Sequence, residues 1–193
     1  MERKILHSDV NSFYASVEML YHPEHAGKPL AVGGDPEARH GIVLTANYTA
    51  KQKGVKTGQA LWQAKSACPD LVVVPPRMDL YLQFSSMLRE IYGEYTDLVE
   101  PYGCDEAWLD VTGSTALKGD EKKIADEIRS RVKKELGITV SIGISWNKIL
   151  LSLEAIIKNQ MRSPNFIKKI TRVSSGIFLQ LTFCMSEDLP ERC

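Results

Sequence analysis

The chain has 193 residues, of which 44% are hydrophobic and 25% charged, so it can bury a substantial core and is not a disordered polymer. Basic and acidic residues number 24 each, and this balance argues against tight binding of a polyanion through net charge alone. The cysteines show no C-x-x-C spacing, and the printed sequence contains neither a secretory signal nor a long apolar run. We therefore expect a reduced, cytoplasmic protein without a membrane segment.

The first residues predict a strand followed directly by a helix. Residues 4–9 are typical of a strand, and Phe13, Val17 and Leu20 then recur at helical spacing, with Asn11 as the expected N-cap. Asp9 falls where the strand ends, a place where side chains project from a sheet into open space. Asp9 is therefore a candidate catalytic residue, although a structural role is the commoner interpretation of any single aspartate.

The next part of the chain is interrupted by proline and glycine. Residues 21–76 predict a small inserted subdomain with a strand over 41–45 and a short helix over 60–67. The run 78–96 then predicts a core helix with one apolar face. That face consists of Leu80, Phe84, Leu88, Ile91 and Tyr95.

Two further strands are predicted around an acidic pair. Residues 97–103 and 107–112 read as strands, which places Asp105 and Glu106 at a hairpin tip or at the start of the second strand. The acidic pair therefore lies at the end of a sheet, as Asp9 does.

A helix and a last strand complete the pattern. Asp120 is the expected N-cap of a helix whose apolar residues recur every four positions and which Gly137 ends, and residues 138–144 alternate as a strand does. The element order β-α, insert, α-β-β-α-β predicts an α+β fold. We expect a mixed or antiparallel sheet with helices on one face.

Asp9, Asp105 and Glu106 supply the chemistry of a nucleotidyl-transfer site. Transfer of a nucleotidyl group needs two Mg²⁺ ions, and magnesium prefers a few carboxylates together with waters and phosphates. Acidic pairs more often lie on solvated surfaces. Spacing alone therefore leaves open whether these residues form a metal site or a solvated acidic surface.

Four ordered blocks carry a resemblance to a known family. They are DVNSFYASVE at 9–18, ANYTAK with GVK between 46 and 56, CDEAWLDVT at 104–112 and SIGISWNK at 141–148. These blocks resemble the Y-family translesion DNA polymerases, and within them the DNA polymerase IV type. The resemblance covers residues 1–149.

The resemblance implies a polymerase palm with a small inserted fingers subdomain. Residues 1–20 and 78–149 would form the palm and 21–77 the fingers. Asp9, Asp105 and Glu106 would bind two Mg²⁺ ions, with the Val10 carbonyl as a further oxygen ligand. The implied activity is template-directed nucleotidyl transfer in translesion synthesis and DNA repair.

The resemblance also implies nucleotide and DNA contacts. The nucleotide-binding residues would be Phe13, Tyr14, Thr45, Tyr48 and Lys51. The ring of Tyr14 would stack under the sugar and exclude a 2′-hydroxyl, and without the motif it would be interpreted as a core aromatic. Arg39 would lie near the template, and its plainer interpretation is a solvated loop cation.

Residues 150–193 do not resemble the family. Reading the neighbouring frame permits K-P-D-A-I-T over 158–164 and D-L-L-Y-V-G over 181–186, which look like the family's own continuation. We therefore hypothesise a one-base slip near codon 150, with an out-of-frame tail and no thumb or little-finger domain. Sequencing the DNA tests this, because an open frame without family-like text in the neighbouring frame would contradict it.

The expected partners are a primed DNA template and a deoxynucleoside triphosphate, and the expected state is a monomer. A sliding clamp stays open as a partner of the full-length protein. Two alternatives also stay open. One is a catalytically inactive remnant that at most binds metal or nucleotide, and the other is a palm-type nucleotide cyclase, which lacks the Tyr14 and 46–51 blocks.

Overall fold

The structure, a computed structural model, describes residues 3–34 and 41–146. Within these ranges the strands are β1 (Ile5–Val10), β2 (Leu30–Gly33), β3 (Val43–Ala46), β4 (Val72–Val74), β5 (Val99–Tyr102), β6 (Glu106–Asp110) and β7 (Val140–Ser145). The helices are α1 (Phe13–Tyr21), α2 (Tyr48–Gln52), α3 (Leu61–Ala67), α4 (Met78–Gly93), α5 (Thr115–Lys118) and α6 (Glu121–Arg131). Predictions for Arg39 and for the tail over 150–193 lie outside the described residues.

A four-stranded antiparallel sheet has the strand order β5-β6-β1-β7. Alternate side chains of its strands join the core formed with α1, α4 and α6, and this set includes Leu6, Val10, Ala107, Leu109, Val140 and Ile142. The residues between them, Asp9 and Glu106 among them, lie on the opposite face because side chains alternate along a strand. The predicted α+β fold with helices on one face of the sheet is confirmed.

Helix α4 supplies much of this core. Phe84, Leu88 and Ile91 are buried as the periodicity predicts, and Tyr81 and Tyr92 are buried beside them. The phenol of Tyr92 shares a 2.9 Å hydrogen bond with the Ser8 hydroxyl of β1. The helix ends at Gly93, earlier than the predicted end at residue 96.

A second, three-stranded sheet has the order β3-β2-β4. Strand β2 pairs antiparallel with β3 and parallel with β4. The sheet packs with α2 and α3 on a separate core of small and branched residues, namely Ala31, Val43, Ala46, Ala50, Val55, Leu61, Ala64, Cys68 and Leu71. All of these residues belong to the segment 21–77 that was assigned to the fingers, and the division into domains stays a prediction.

Helix α6 begins as predicted from the sequence, and the π-helical segment that continues it ends at the predicted Gly137. The Asp120 side chain accepts a 2.8 Å hydrogen bond from the Lys123 N–H, and Gly137 adopts a left-handed φ of 71° after a π-helical last turn over Val132–Leu136. None of the helices in the described part of the chain is long and apolar enough to span a membrane.

The predicted N-cap of α1 is wrong. The helix begins at Phe13, and the residue before it is Ser12, which has a left-handed backbone with φ of 50°. Asn11 instead bridges to β7 and the loop before it, because its side chain accepts a 2.8 Å hydrogen bond from Ser141 and donates one of 3.2 Å to Thr139.

Candidate active site

Pairing of β1 with β6 brings the acidic residues to one end of the sheet. Asp9 lies directly opposite Glu106 across the two strands, and the Val10 N–H donates a 3.1 Å hydrogen bond to the Asp105 carbonyl. Gly103, with φ of 71°, makes the turn that leads from β5 to this point. Residues that are far apart in the sequence therefore meet here.

The electrostatics of this end are those of crowded carboxylates. Burial, followed by the charges of Glu106 and Asp105, raises the pKa of Asp9 to about 7, and Lys51 opposes this rise. Burial and the Glu106 charge also raise the pKa of Asp105. Three carboxylates meet at this end, and they are hard oxygen ligands of the kind that Mg²⁺ prefers, so these residues can hold a divalent cation.

Glu106 has a second neighbour on the same sheet face. The His7 Nε2 lies 3.0 Å from a Glu106 carboxylate oxygen, and the His7 ring stacks on Trp108 with centroids 4.1 Å apart. Glu106 is thus held beside His7 on β1, two residues before Asp9.

The predicted sugar-contacting residue, Tyr14, lies beside the acidic end. Its ring stacks on Tyr81 of α4, with centroids 4.3 Å apart and planes at 20°. Burial raises the pKa of the Tyr14 phenol, and the charges of Cys104 and Asp105 raise it further. Phe13 is buried in the core, so its side chain is not available to a nucleotide and only its backbone could make the predicted contact.

The remaining predicted nucleotide-binding residues lie on β3 and α2. The Lys51 ammonium donates a 2.8 Å hydrogen bond to the Ser12 hydroxyl and lies 5.7 Å from the centroid of the half-exposed Tyr48 ring. Thr45 is half-buried on β3. The structure therefore brings Lys51 to the start of α1, whereas the role of Thr45 stays a prediction.

Asn47 is a positioning residue that the sequence interpretation missed. Its buried side-chain oxygen accepts hydrogen bonds from the Ala50 and Leu30 N–H groups at 2.9 and 3.1 Å, and its amide donates to the Lys28 carbonyl at 2.8 Å. The side chain therefore caps α2 and ties it to β2. An asparagine directly before Tyr48 was a usable N-cap signal.

Two more residues near the site were also missed. The contact of His7 with Glu106 follows from period-two alternation, which places His7 and Asp9 on one sheet face. Ser12 had no comparable signal, since serine seldom adopts a left-handed backbone.

Comparison with known proteins places the chain in a family. Residues 8–152 match the model of the impB/mucB/samB family. The chain is 55% identical over 171 residues to a DNA polymerase IV of Acetivibrio thermocellus, which covers 89% of this chain and 42% of that protein. It is 49% identical over 151 residues to a DNA polymerase IV of Ralstonia nicotianae, with 78% of this chain and 42% of that protein covered.

Solved structures of related polymerases share the fold of this chain. DinB from Sulfolobus solfataricus superposes with a TM-score of 0.69 at 33% identity, covering 76% of this chain and 43% of that one. The insertion ternary complex of Dbh DNA polymerase has the same TM-score and identity, with 76% of this chain and 44% of that one covered.

The chain spans less than half the length of the curated relatives described above. The family match covers well over half of the chain itself, and the structural neighbours are Y-family polymerases. The chain therefore belongs to the impB/mucB/samB family and has the fold of Y-family DNA polymerases.

Proposed function

We propose that this chain carries the catalytic palm and the fingers of a template-directed DNA polymerase that acts in translesion synthesis. The observation that carries the proposal is the register of β1 with β6, which sets Asp9 opposite Glu106 with the backbone of Asp105 bonded to Val10. The raised pKa values of Asp9 and Asp105 support a cation there. The substrates on this proposal are primed DNA and a deoxynucleoside triphosphate.

Each residue has a role that its position supports. Asp9, Asp105 and Glu106 would hold two Mg²⁺ ions, with the Val10 carbonyl as a further ligand. Bound Mg²⁺ would neutralise the triphosphate and make the primer 3′-hydroxyl easier to deprotonate. The carboxylates would fix the position of the ions, since Asp9 and Glu106 lie on paired strands of one sheet and Asp105 directly precedes the second strand.

The nucleotide would lie between the acidic end and α2. Lys51 is held at the start of α1 and would place its ammonium against the triphosphate as a point charge, with Tyr48 donating a hydroxyl hydrogen bond beside it. Tyr14, fixed on the Tyr81 ring, would present a flat surface to the sugar and exclude a 2′-hydroxyl.

The test is Mg²⁺-dependent primer extension by the chain itself and by a chimera. In the chimera, residues 1–146 replace the corresponding part of the Acetivibrio thermocellus DNA polymerase IV. We expect the chimera to extend a primer, and Asp9→Asn and Asp105→Asn each to lower its rate by roughly two orders of magnitude or more. The matched control is Asp126→Asn, since Asp126 pairs with Arg129 on the helical side and lies away from the site.

The other outcomes separate the alternatives. A folded chimera without extension would contradict the proposal and favour an inactive remnant that binds only metal or nucleotide. Formation of a cyclic nucleotide without template would identify a palm-type cyclase. Extension that Asp105→Asn leaves unchanged would contradict the assignment of the carboxylates.

A further inference from the structure

The turn after α1 carries three side chains that can bind a metal, on the opposite end of α1 from Asp9. His22 follows the helix, and Glu24 and His25 lie in the 3₁₀ turn Pro23–His25. One ligand atom from each of the three falls within 4.8 Å of the other two, and no other such group of three occurs among the residues that the structure describes. This cluster is no part of the polymerase site proposed above.

The distances between the ligand atoms suit one small cation. The His22 Nδ1 lies 3.0 Å and the His25 Nε2 lies 3.8 Å from the same Glu24 oxygen. Ligands of tetrahedral zinc, with bonds of about 2.0–2.1 Å, lie about 3.3 Å from one another. These two distances fall on either side of that value, and one ligand atom of each residue lies within 4.8 Å of the other two, so the three are close enough to share one ion.

A buried carboxylate lies near the other ring nitrogen of His22. The His22 Nε2 lies 3.6 Å from a Glu18 oxygen, and Glu18 is itself buried and bonded by Arg77. Metal-binding histidines commonly donate their second ring N–H to a carboxylate, and Glu18 lies just beyond hydrogen-bond distance for that role. The turn is also restrained, because Pro23 at its first position has a fixed φ.

We propose that His22, Glu24 and His25 form a site for a first-row divalent cation of the zinc type, with three protein ligands and one open position. Two imidazole nitrogens and one carboxylate oxygen suit Zn²⁺, whereas Mg²⁺ prefers an all-oxygen set. All three side chains are partly exposed, so an ion reaches them from solvent. Binding joins the end of α1 to the turn that leads to β2, and it stabilises this connection between the two sheets.

The experiment measures Zn²⁺ binding to the complete chain by calorimetry in excess Mg²⁺. The parent is compared with the double variant His22→Gln/His25→Gln and with His40→Gln, a histidine outside the described residues. We expect the double variant to lose one equivalent of Zn²⁺ and Glu24→Gln to raise the dissociation constant at least about tenfold. Zn²⁺ bound by cysteines or by the acidic end is common to all variants and cancels in the comparison.

Two results overturn the site. One is an unchanged stoichiometry and affinity in the double variant, and the other is the same loss in His40→Gln. If the double variant does not fold, Co²⁺ is added in less than one equivalent to the unaltered chain and the histidine ring resonances are followed by NMR. Broadening of the His22 and His25 resonances before those of His7 and His40 supports the proposal, and equal broadening of all four overturns it.

Discussion

Glu18 is a buried carboxylate in α1, and it accepts hydrogen bonds from two residues at the start of α4. The Arg77 Nε donates to both of its oxygens at 3.1 Å, and the Tyr81 hydroxyl donates at 2.7 Å. We expect Arg77→Met to lower the free energy of unfolding by roughly 2–4 kcal/mol, because it leaves a buried charge without its cation. Urea denaturation followed by circular dichroism measures this change.

The matched control for Arg77 is an arginine in a surface ion pair. Arg129 pairs with Asp126 one helical turn away, and Arg129→Met should cost less than about 1 kcal/mol. Equal losses in the two variants would show that the burial of Glu18 adds nothing to the cost.

Lys51 opposes the protonation of Asp9 in the metal-free chain. Its cation opposes the rise in the Asp9 pKa that burial and the neighbouring carboxylates cause. We therefore expect Lys51→Met to raise the pKa of Asp9 further, by roughly half a unit or more, in a carboxylate NMR titration with EDTA present. Lys53→Met is the control, since Lys53 pairs with the exposed Asp70, and it should leave the Asp9 titration unchanged.

At the scale of elements, α2 depends on a single side chain. This helix has five residues, too few to be stable alone, and Asn47 both caps it and bonds Leu30 and Lys28. We expect Asn47→Ala to cost roughly 2–3 kcal/mol, because buried backbone groups in α2, β2 and the preceding loop lose their partner. Asp120→Ala removes one exposed cap bond from α6 and should cost only about 1 kcal/mol. Thermal unfolding of the two variants and the parent measures both costs.

The same contrast explains which elements the sequence could predict. Helix α6 was predicted correctly because its cap, its apolar period and Gly137 are all local signals. The alternation over 107–112 likewise predicted β6. Strands β2 and β4 were not predicted, since their stability comes from pairing between residues distant in sequence, and helix α2 was not predicted because the local N-cap signal of Asn47 was missed.

The candidate site shows the same limit. The four sequence blocks identified Asp9, Asp105 and Glu106, and pairing of β1 with β6 brings them to one sheet end. The contact of His7 with Glu106 joins residues 99 positions apart. That contact requires both the period-two alternation of β1 and the register of β1 with β6, and only the alternation is a local signal. The left-handed Ser12 has no local signal, since serine seldom adopts this backbone.

At the scale of the whole molecule, the carboxylate site should make the stability of the metal-free chain depend on pH. The pKa of Asp9 is about 7 in the folded chain and 3.8 in the unfolded chain. Between these two pH values the folded state therefore binds more protons than the unfolded state. The stability that this difference gives is complete at low pH and is lost as pH rises through about 7.

Carboxyl groups with the opposite shift act in a different pH range. Burial works against the lowered pKa of Asp110, but bonds from Thr112 and Arg3 outweigh it, and a bond from Lys4 lowers the pKa of Glu121. The stability that these two groups give is present above their unfolded pKa values and is lost only as pH falls below them. From about pH 5 to about pH 8, the loss that arises from Asp9, together with a contribution of the same sign from Asp105, should therefore dominate.

We expect the free energy of unfolding in EDTA to fall by roughly 1–3 kcal/mol between about pH 5 and about pH 8. Asp9→Asn removes the titrating group and should flatten this dependence, and Mg²⁺ at the higher pH should stabilise the parent more than the variant, since only the parent keeps the charge that the ion neutralises. Urea denaturation across the pH range, with and without Mg²⁺, measures both effects. A parent profile that is flat in EDTA would mean that Asp9 is not crowded by its neighbours. Equal stabilisation of both chains by Mg²⁺ would mean that Asp9 is not part of a cation site.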